Sequence, residues 1–169
     1  MSKLYNVSSS PHVRSKLTTG IVMYDVILCL LPATVMGIWH FKLQALMVIA
    51  ASIVSAMLAE FVFNYIAHRK NTLMDGSAIV TGLLLALCLP ASVPIYIPCL
   101  GAAFAIIVAK NLFGGLGHNF MNPALAGRCF LLISFSGIVA NYAVDGYSSA
   151  TPLAQMAAGE TVSITKMFV

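Results

Sequence analysis

Residues 20–39 read GIVMYDVILCLLPATVMGIW, a run of 20 positions whose only charged side chain is Asp25. At a helical rise of about 1.5 Å per residue, such a run matches the ~30 Å hydrocarbon core of a bilayer. It reads as a transmembrane helix. Pro32 inside it is tolerated at membrane depth, where neighbouring groups satisfy the freed carbonyl. Trp39, His40, Phe41 and Lys42 close it with an interfacial border.

The pattern repeats outward from that run. A second apolar stretch covers residues 43–66, with Glu60 within two turns of its end, and His68-Arg69-Lys70-Asn71 follows as the most basic loop. A third stretch, 78–89, is short of a full crossing; Asp75-Gly76 precede it and Pro90, Pro94 and Pro98 follow. It reads as a helix through a thinned region or as a broken helix lining a site. A fourth covers 95–108 and is ended by Lys110; a fifth covers 123–144, with Arg128 in its first two turns.

Composition requires lipid. Hydrophobic residues make up 60% of the chain and charged residues 8%, with a mean hydropathy of +0.93. A soluble domain carries about 25% charged residues, and a chain of 169 residues leaves much of its surface exposed in water. The expected fold is all-α: a polytopic membrane bundle of about five transmembrane helices. Residues 1–19 form a cytoplasmic arm, 20–144 the bundle, and 145–169 an extracytoplasmic segment and tail. The first apolar run follows a polar stretch and precedes no small-residue cleavage site, so it is expected to remain a span and not a signal peptide.

The net charge of +4 lies mostly in loops. By the positive-inside rule the arm, the 68–70 loop and the 110–128 region face the cytoplasm, leaving Lys42 as the one basic residue on the far side. No basic patch interleaves with aromatics, so nucleic acid is not an expected partner. Cys29, Cys88, Cys99 and Cys129 lie in or beside apolar runs without C-x-x-C spacing. They read as small buried hydrophobes, and no metal or iron–sulfur site is expected on this chain.

Asp25 and Glu60 are the carboxylates within apolar spans. Such groups either form an ion or proton path or pair with a Lys or Arg of a neighbouring helix. Gly114-Gly115-Leu116-Gly117 could let backbone approach a ligand or simply form a tight turn; with no Gly-Lys-Ser/Thr and no preceding strand it is neither a P-loop nor a dinucleotide fingerprint. His118 beside it reads as a ligand contact or a hydrogen-bonded loop histidine. Arg128 reads as a phosphate or carboxylate holder, or as a structural partner of Asp75 or Glu60. Asp145-Gly146-Tyr147-Ser148-Ser149-Ala150-Thr151 is followed by Pro152, which disfavours helix at Thr151 and favours presentation of its hydroxyl.

That last stretch resembles the flavinylation motif D-G-x-S/T-G/S-A-T. Three others accompany it in order: Ser9-Ser10-Pro11-His12, the run 75–82 from Asp75 to Gly82, and the run 114–128 from Gly114 to Arg128. Together they resemble the RnfD family of the Rnf electron-transport complex, with the corresponding membrane component of the sodium-pumping NADH:quinone oxidoreductase as the near relative. The resemblance implies an inner-membrane, multi-pass subunit of an ion-translocating ferredoxin:NAD oxidoreductase. Such a subunit passes electrons between flavins and is coupled to sodium-ion or proton transport. It is a redox part of a translocase and not an enzyme alone.

The resemblance further implies FMN joined through a phosphoester to Thr151 by a flavin transferase, with Asp145, Gly146, Ser148, Ser149 and Ala150 as the recognised motif. By that bond the chain is a flavoprotein and a phosphoprotein. Riboflavin, bound non-covalently, is a second cofactor the family can hold. Gly115, Gly117, His118 and Arg128 carry over as motif positions in a cofactor-binding region, and Asp25 and Glu60 stand as the ion path. The implied partners are the other components of the Rnf complex, the flavin transferase and membrane lipid. Family members run to about ten spans in two similar halves, so this sequence resembles the first of two repeats. Two other classes compete: a passive channel or transporter, and a structural membrane subunit with no redox role.

Overall fold

The computed structural model describes residues 18–69 and 72–140, and the backbone of 142–144 and 147–149. Five helices carry the fold: α1 (Thr19–Ile66), α2 (Ser77–Leu87), α3 (Tyr96–Phe104, continued as a π-helix over Ala105–Asn111), α4 (Pro123–Ser134) and the single turn α5 (Ser136–Val139). A 3-10 turn, Leu73–Asp75, leads into α2 through Gly76 at φ +72°.

Helix α1 is two helices joined without a loop. Lys42, at φ 50° and ψ −129°, breaks it inside the expected interfacial border and leaves arms of 19–41 and 43–66. Each arm is about 35 Å long at 1.5 Å per residue, enough to cross a bilayer. The two apolar runs expected over 20–39 and 43–66 are these arms. Both ends of α1 return to one end of the molecule, since Thr18, Thr19, Gly20, Asn64 and Arg69 line one cavity. Tyr24 ties the first arm to the loop before α2 by donating its hydroxyl proton to the Met74 carbonyl, 3.3 Å away.

The second arm makes the core. Its buried residues, Ala45, Val48, Ile49, Ser52, Ala56, Ala59 and Glu60, recur at spacings of three and four, one face of an α-helix. Small residues on that face admit α2 at close range, as helix pairs in membranes require. Ser52 Oγ donates to the Gly82 carbonyl at 2.8 Å, and a Cβ at Gly82 would stand 2.9 Å from the Ile53 Cα. Gly82→Ala therefore pushes two backbones apart. It is expected to cost about 1–3 kcal/mol, read as a lower unfolding temperature in detergent; unchanged stability would show that the crossing yields. A second close crossing joins α3 to α4, where a Cβ on Gly127 would lie 2.8 Å from the Gly101 carbonyl oxygen.

The first arm, by contrast, buries only Thr34. Ile21, Val22, Leu28, Leu31, Val35 and Met36 stand exposed, a distribution that lipid satisfies. Helix α1 is long and apolar enough to cross a membrane, whereas Ser77–Leu87, Tyr96–Asn111 and Pro123–Ser134 are shorter apolar helices. Helices α2 and α3 occupy the expected third and fourth stretches.

The fifth stretch departs from expectation. Asn122 caps α4, accepting the Ala124 N–H at 3.0 Å with Pro123 in the first turn, so the start is as expected. The helix then stops at Ser134, because Phe135 leaves helical conformation at φ −134°, ψ 43°. After α5 the chain forms an antiparallel hairpin of β1 (Tyr142–Val144) and β2 (Tyr147–Ser149), with Val144 paired to Tyr147. The expected single helix over 123–144 is thus a helix, one turn and a strand. Tyr96 at the start of α3 meets Phe135 edge-on at 6.3 Å, which places this exit at the end of the bundle opposite Lys110.

Candidate functional site

Glu60 lies fully buried on the second arm of α1, and Lys110, 2% exposed, lies in the π-helical continuation of α3. Lys110 Nζ is 2.8 Å from Glu60 Oε1 and 2.7 Å from Ser77 Oγ. Thr72 donates its hydroxyl proton to the same carboxylate oxygen at 2.5 Å and accepts from Asn64 Nδ2 at 3.1 Å. Four separate segments thus converge on one carboxylate: α1, the turn before α2, the first residue of α2, and the end of α3.

The energetics of such a cluster are lopsided. A buried ion pair loses both hydration shells, so its formation contributes little net stability, whereas removal of one partner strands the other. Every donor present is therefore needed to hold the carboxylate. Glu60 Oε2 nevertheless bonds to no described residue, and the same holds for the buried Asn111 Nδ2.

The cluster borders a cavity of about 660 Å³ whose lining includes Asn64, Arg69, Thr72, Asp75, Lys110 and Asn111. Gly115 and His118 line it as well. Arg69 donates to the Asn111 carbonyl at 3.4 Å, which brings the basic loop after α1 against the end of α3. The basic segments read from the sequence as lying on one side of a membrane do gather at one end of the bundle.

The structure separates the other candidates. Gly114, Gly115 and Gly117 hold φ of 115°, 96° and 88°, so this loop uses the conformational freedom of glycine throughout. The N–H groups of Gly114 and Gly115 bond to the carbonyls of Asn111 and Lys110, closing the end of α3. Gly117 and Arg128 lie outside the cavity lining; Arg128 is half-buried on α4. Asp25 is exposed on the first arm, and no described residue bonds to it. Of the flavinylation motif, Ser148 and Ser149 belong to β2, while Asp145, Gly146, Ala150 and Thr151 lie outside the described residues.

Residues 6–169 match the model of the NQR2, RnfD, RnfE family. The chain belongs to that family. Among the relatives of this NQR2/RnfD/RnfE member is the D-type subunit of the Na(+)-translocating ferredoxin:NAD(+) oxidoreductase complex of Acetobacterium woodii, 45% identical over 94% of this chain and 51% of the relative. The proton-translocating counterpart of Clostridium ljungdahlii is 39% identical over 89% and 47%. The D-type subunit of an ion-translocating oxidoreductase complex of Shewanella amazonensis is 36% identical over 97% and 46%. The chain spans about half the length of these curated relatives. A helical membrane protein of this family is what the two arms of α1 and the exposed apolar face describe.

Sequence reasoning missed Lys110 as a site residue. It read Lys110 as the border of an apolar run, because a cation at such a position usually reaches interfacial water. It also missed Ser77, Thr72, Asn64 and Asn111. The available signal was a single cation within two turns of a helix end in a chain with an unpartnered buried acid. Glu60 is paired with a lysine of a neighbouring helix, one of the two arrangements its position allowed, and Arg128 is not that partner among the bonds described.

Proposed function

We propose that this chain works as part of an ion-translocating ferredoxin:NAD oxidoreductase complex, as a multi-pass subunit of the cell inner membrane that carries FMN on Thr151. The observation that carries the reading is the Asp145–Thr151 motif in a chain of this family. The threonine hydroxyl supplies the oxygen a phosphoester needs. A bound flavin would supply one- and two-electron transfer, and the protein would position it. The hairpin supports the reading, since its register leaves Asp145 and Gly146 between paired strands, and Asp-Gly is a favoured two-residue hairpin sequence. Thr151 follows β2 by two positions.

The other components of the complex, a flavin transferase and lipid are the partners this reading requires; a further riboflavin site has no residues assigned. The coupled ion is sodium or a proton, the two ions named for relatives of similar identity. Glu60 supplies the buried carboxylate for an ion path, and Asp25 extends it only if another part of the assembly covers the exposed face of α1. Mass spectrometry of the protein from native membranes tests the central claim. The peptide containing Thr151 should carry FMN; an unmodified peptide would transfer the case to a channel or a structural subunit.

The same reading puts the flavin segment outside the cell and the Glu60–Lys110 end inside. With native cysteines replaced, Ser148→Cys should react with a membrane-impermeant thiol reagent in intact cells, and Gly117→Cys only after the cytoplasmic face is opened. The reverse pattern would invert the topology.

A further inference from the structure

The Glu60 carboxylate holds more capacity for positive charge than its neighbours use. Oε1 takes Lys110 and Thr72, while Oε2 is buried and bonds to no described residue. An ionised carboxylate is an acceptor at both oxygens, and leaving one unmatched in a dry interior is costly. Around Lys110 Nζ the contacts are all to oxygen, Glu60 Oε1 at 2.8 Å and Ser77 Oγ at 2.7 Å. Carboxylate and hydroxyl oxygens are the ligands that hard cations take.

Lys110 is also placed to move. Its ammonium ends a flexible four-carbon stem, and the residue lines two cavities. One is the 660 Å³ cavity, which Asp75 also lines; the other, of about 320 Å³, is bounded by Met23, Ser77, Val80, Thr81, Leu116 and Asn122 among others. Asp75 thus offers a second acceptor on the wall of a cavity that Lys110 already borders. The backbone beneath Lys110 is π-helical, with the Leu112 N–H bonded to the Ile107 carbonyl five residues back at 3.0 Å. Such turns recur at functional sites in helices.

We propose that the Lys110 ammonium is a built-in competitor for an alkali cation at Glu60, withdrawing toward Asp75 when the cation binds the Glu60 and Ser77 oxygens. The proposal rests on the ion-path reading of Glu60 and adds the counter-charge to it. One positive charge faces Glu60 in either state, so the carboxylate is never buried alone. Exchange of one cation for another at constant charge avoids the penalty that a bare carboxylate at membrane depth would incur. The competition also lowers cation affinity, which lets the ion leave as well as enter.

The test uses the full-length protein within its native complex in lipid nanodiscs, with sodium as the probe and choline as the control. Sodium-dependent thermal protection and the sodium dependence of electron-transfer-driven uptake in vesicles are both read. Lys110→Met should lower the half-saturating sodium concentration at least about tenfold, the scale of an ordinary coupling between two ligands. Lys110→Arg keeps a permanent cation there and should raise it, which covers the case that the Met variant fails to assemble. Glu60→Gln/Lys110→Met should lose the response. Wild-type half-saturation in the assembled Lys110 variants overturns the proposal while leaving Glu60 in the ion path. A Glu60→Gln protein with normal sodium response overturns the ion-path reading itself.

Discussion

Thr151→Ala is expected to abolish covalent flavin. A phosphoester needs a hydroxyl oxygen, and alanine has none, so the loss should be complete and not graded. Thr151→Ser retains the oxygen and should keep part of the labelling, reduced because serine loses the β-branch that, with Pro152, restricts the backbone. Asp145→Ala leaves the attachment oxygen intact and should lower the yield by weakening recognition of the segment. In-gel fluorescence after co-expression with the flavin transferase and riboflavin, together with peptide mass spectrometry, reads all three. Undiminished covalent flavin in Thr151→Ala would remove this residue from the site, and the membrane fold would be untouched.

Glu60→Leu is expected to be the most destabilising single change within the described core. It leaves the Lys110 ammonium, 2% exposed, facing Ser77 and an apolar side chain, and strips Thr72 of its acceptor. Breaking a buried pair from one side costs about 3–5 kcal/mol, whereas replacing both partners with apolar residues is often nearly neutral. The double variant Glu60→Leu/Lys110→Met should therefore recover most of the loss. Unfolding of the single and double variants in detergent measures the coupling directly. Equal destabilisation by the two would mean that the pair carries no mutual interaction, and that the cost lies in shape alone.

The two arms of α1 were legible because nothing competes with a long apolar run bounded by Trp39 and Lys42; only the turn at Lys42, tight enough to need no loop, required coordinates. The end of α4 was not legible. Phe135, Ile138, Val139, Tyr142 and Val144 are apolar enough to extend a helix and also favour strands, and hydropathy does not distinguish the two. Asp-Gly between Val144 and Tyr147 was the hairpin signal, and it lies inside a stretch whose chemistry dominates its reading. At the site, Glu60 was legible as a buried acid from its position alone. Its partner was not, since Lys110 lies 50 residues away and only the winding of α3 turns it inward. The motif residues around Thr151 remain a reading of sequence, beyond what the described residues place.

The π-helical stretch Ala105–Asn111 has a consequence for how this segment tolerates change. Each α-helical residue advances about 100° around the axis, so a π-turn amounts to one surplus residue stored within the helix. Deleting a single residue between 105 and 109 would return the segment to α-helical winding and swing whatever follows by roughly that angle. Leu112 is exposed on this same stretch while Lys110 and Asn111 are buried, so such a rotation would trade cation for leucine at the carboxylate. The segment can vary in side chains far more freely than in length. In a set of related sequences, gaps should therefore avoid positions 105–111 even where the residues themselves drift.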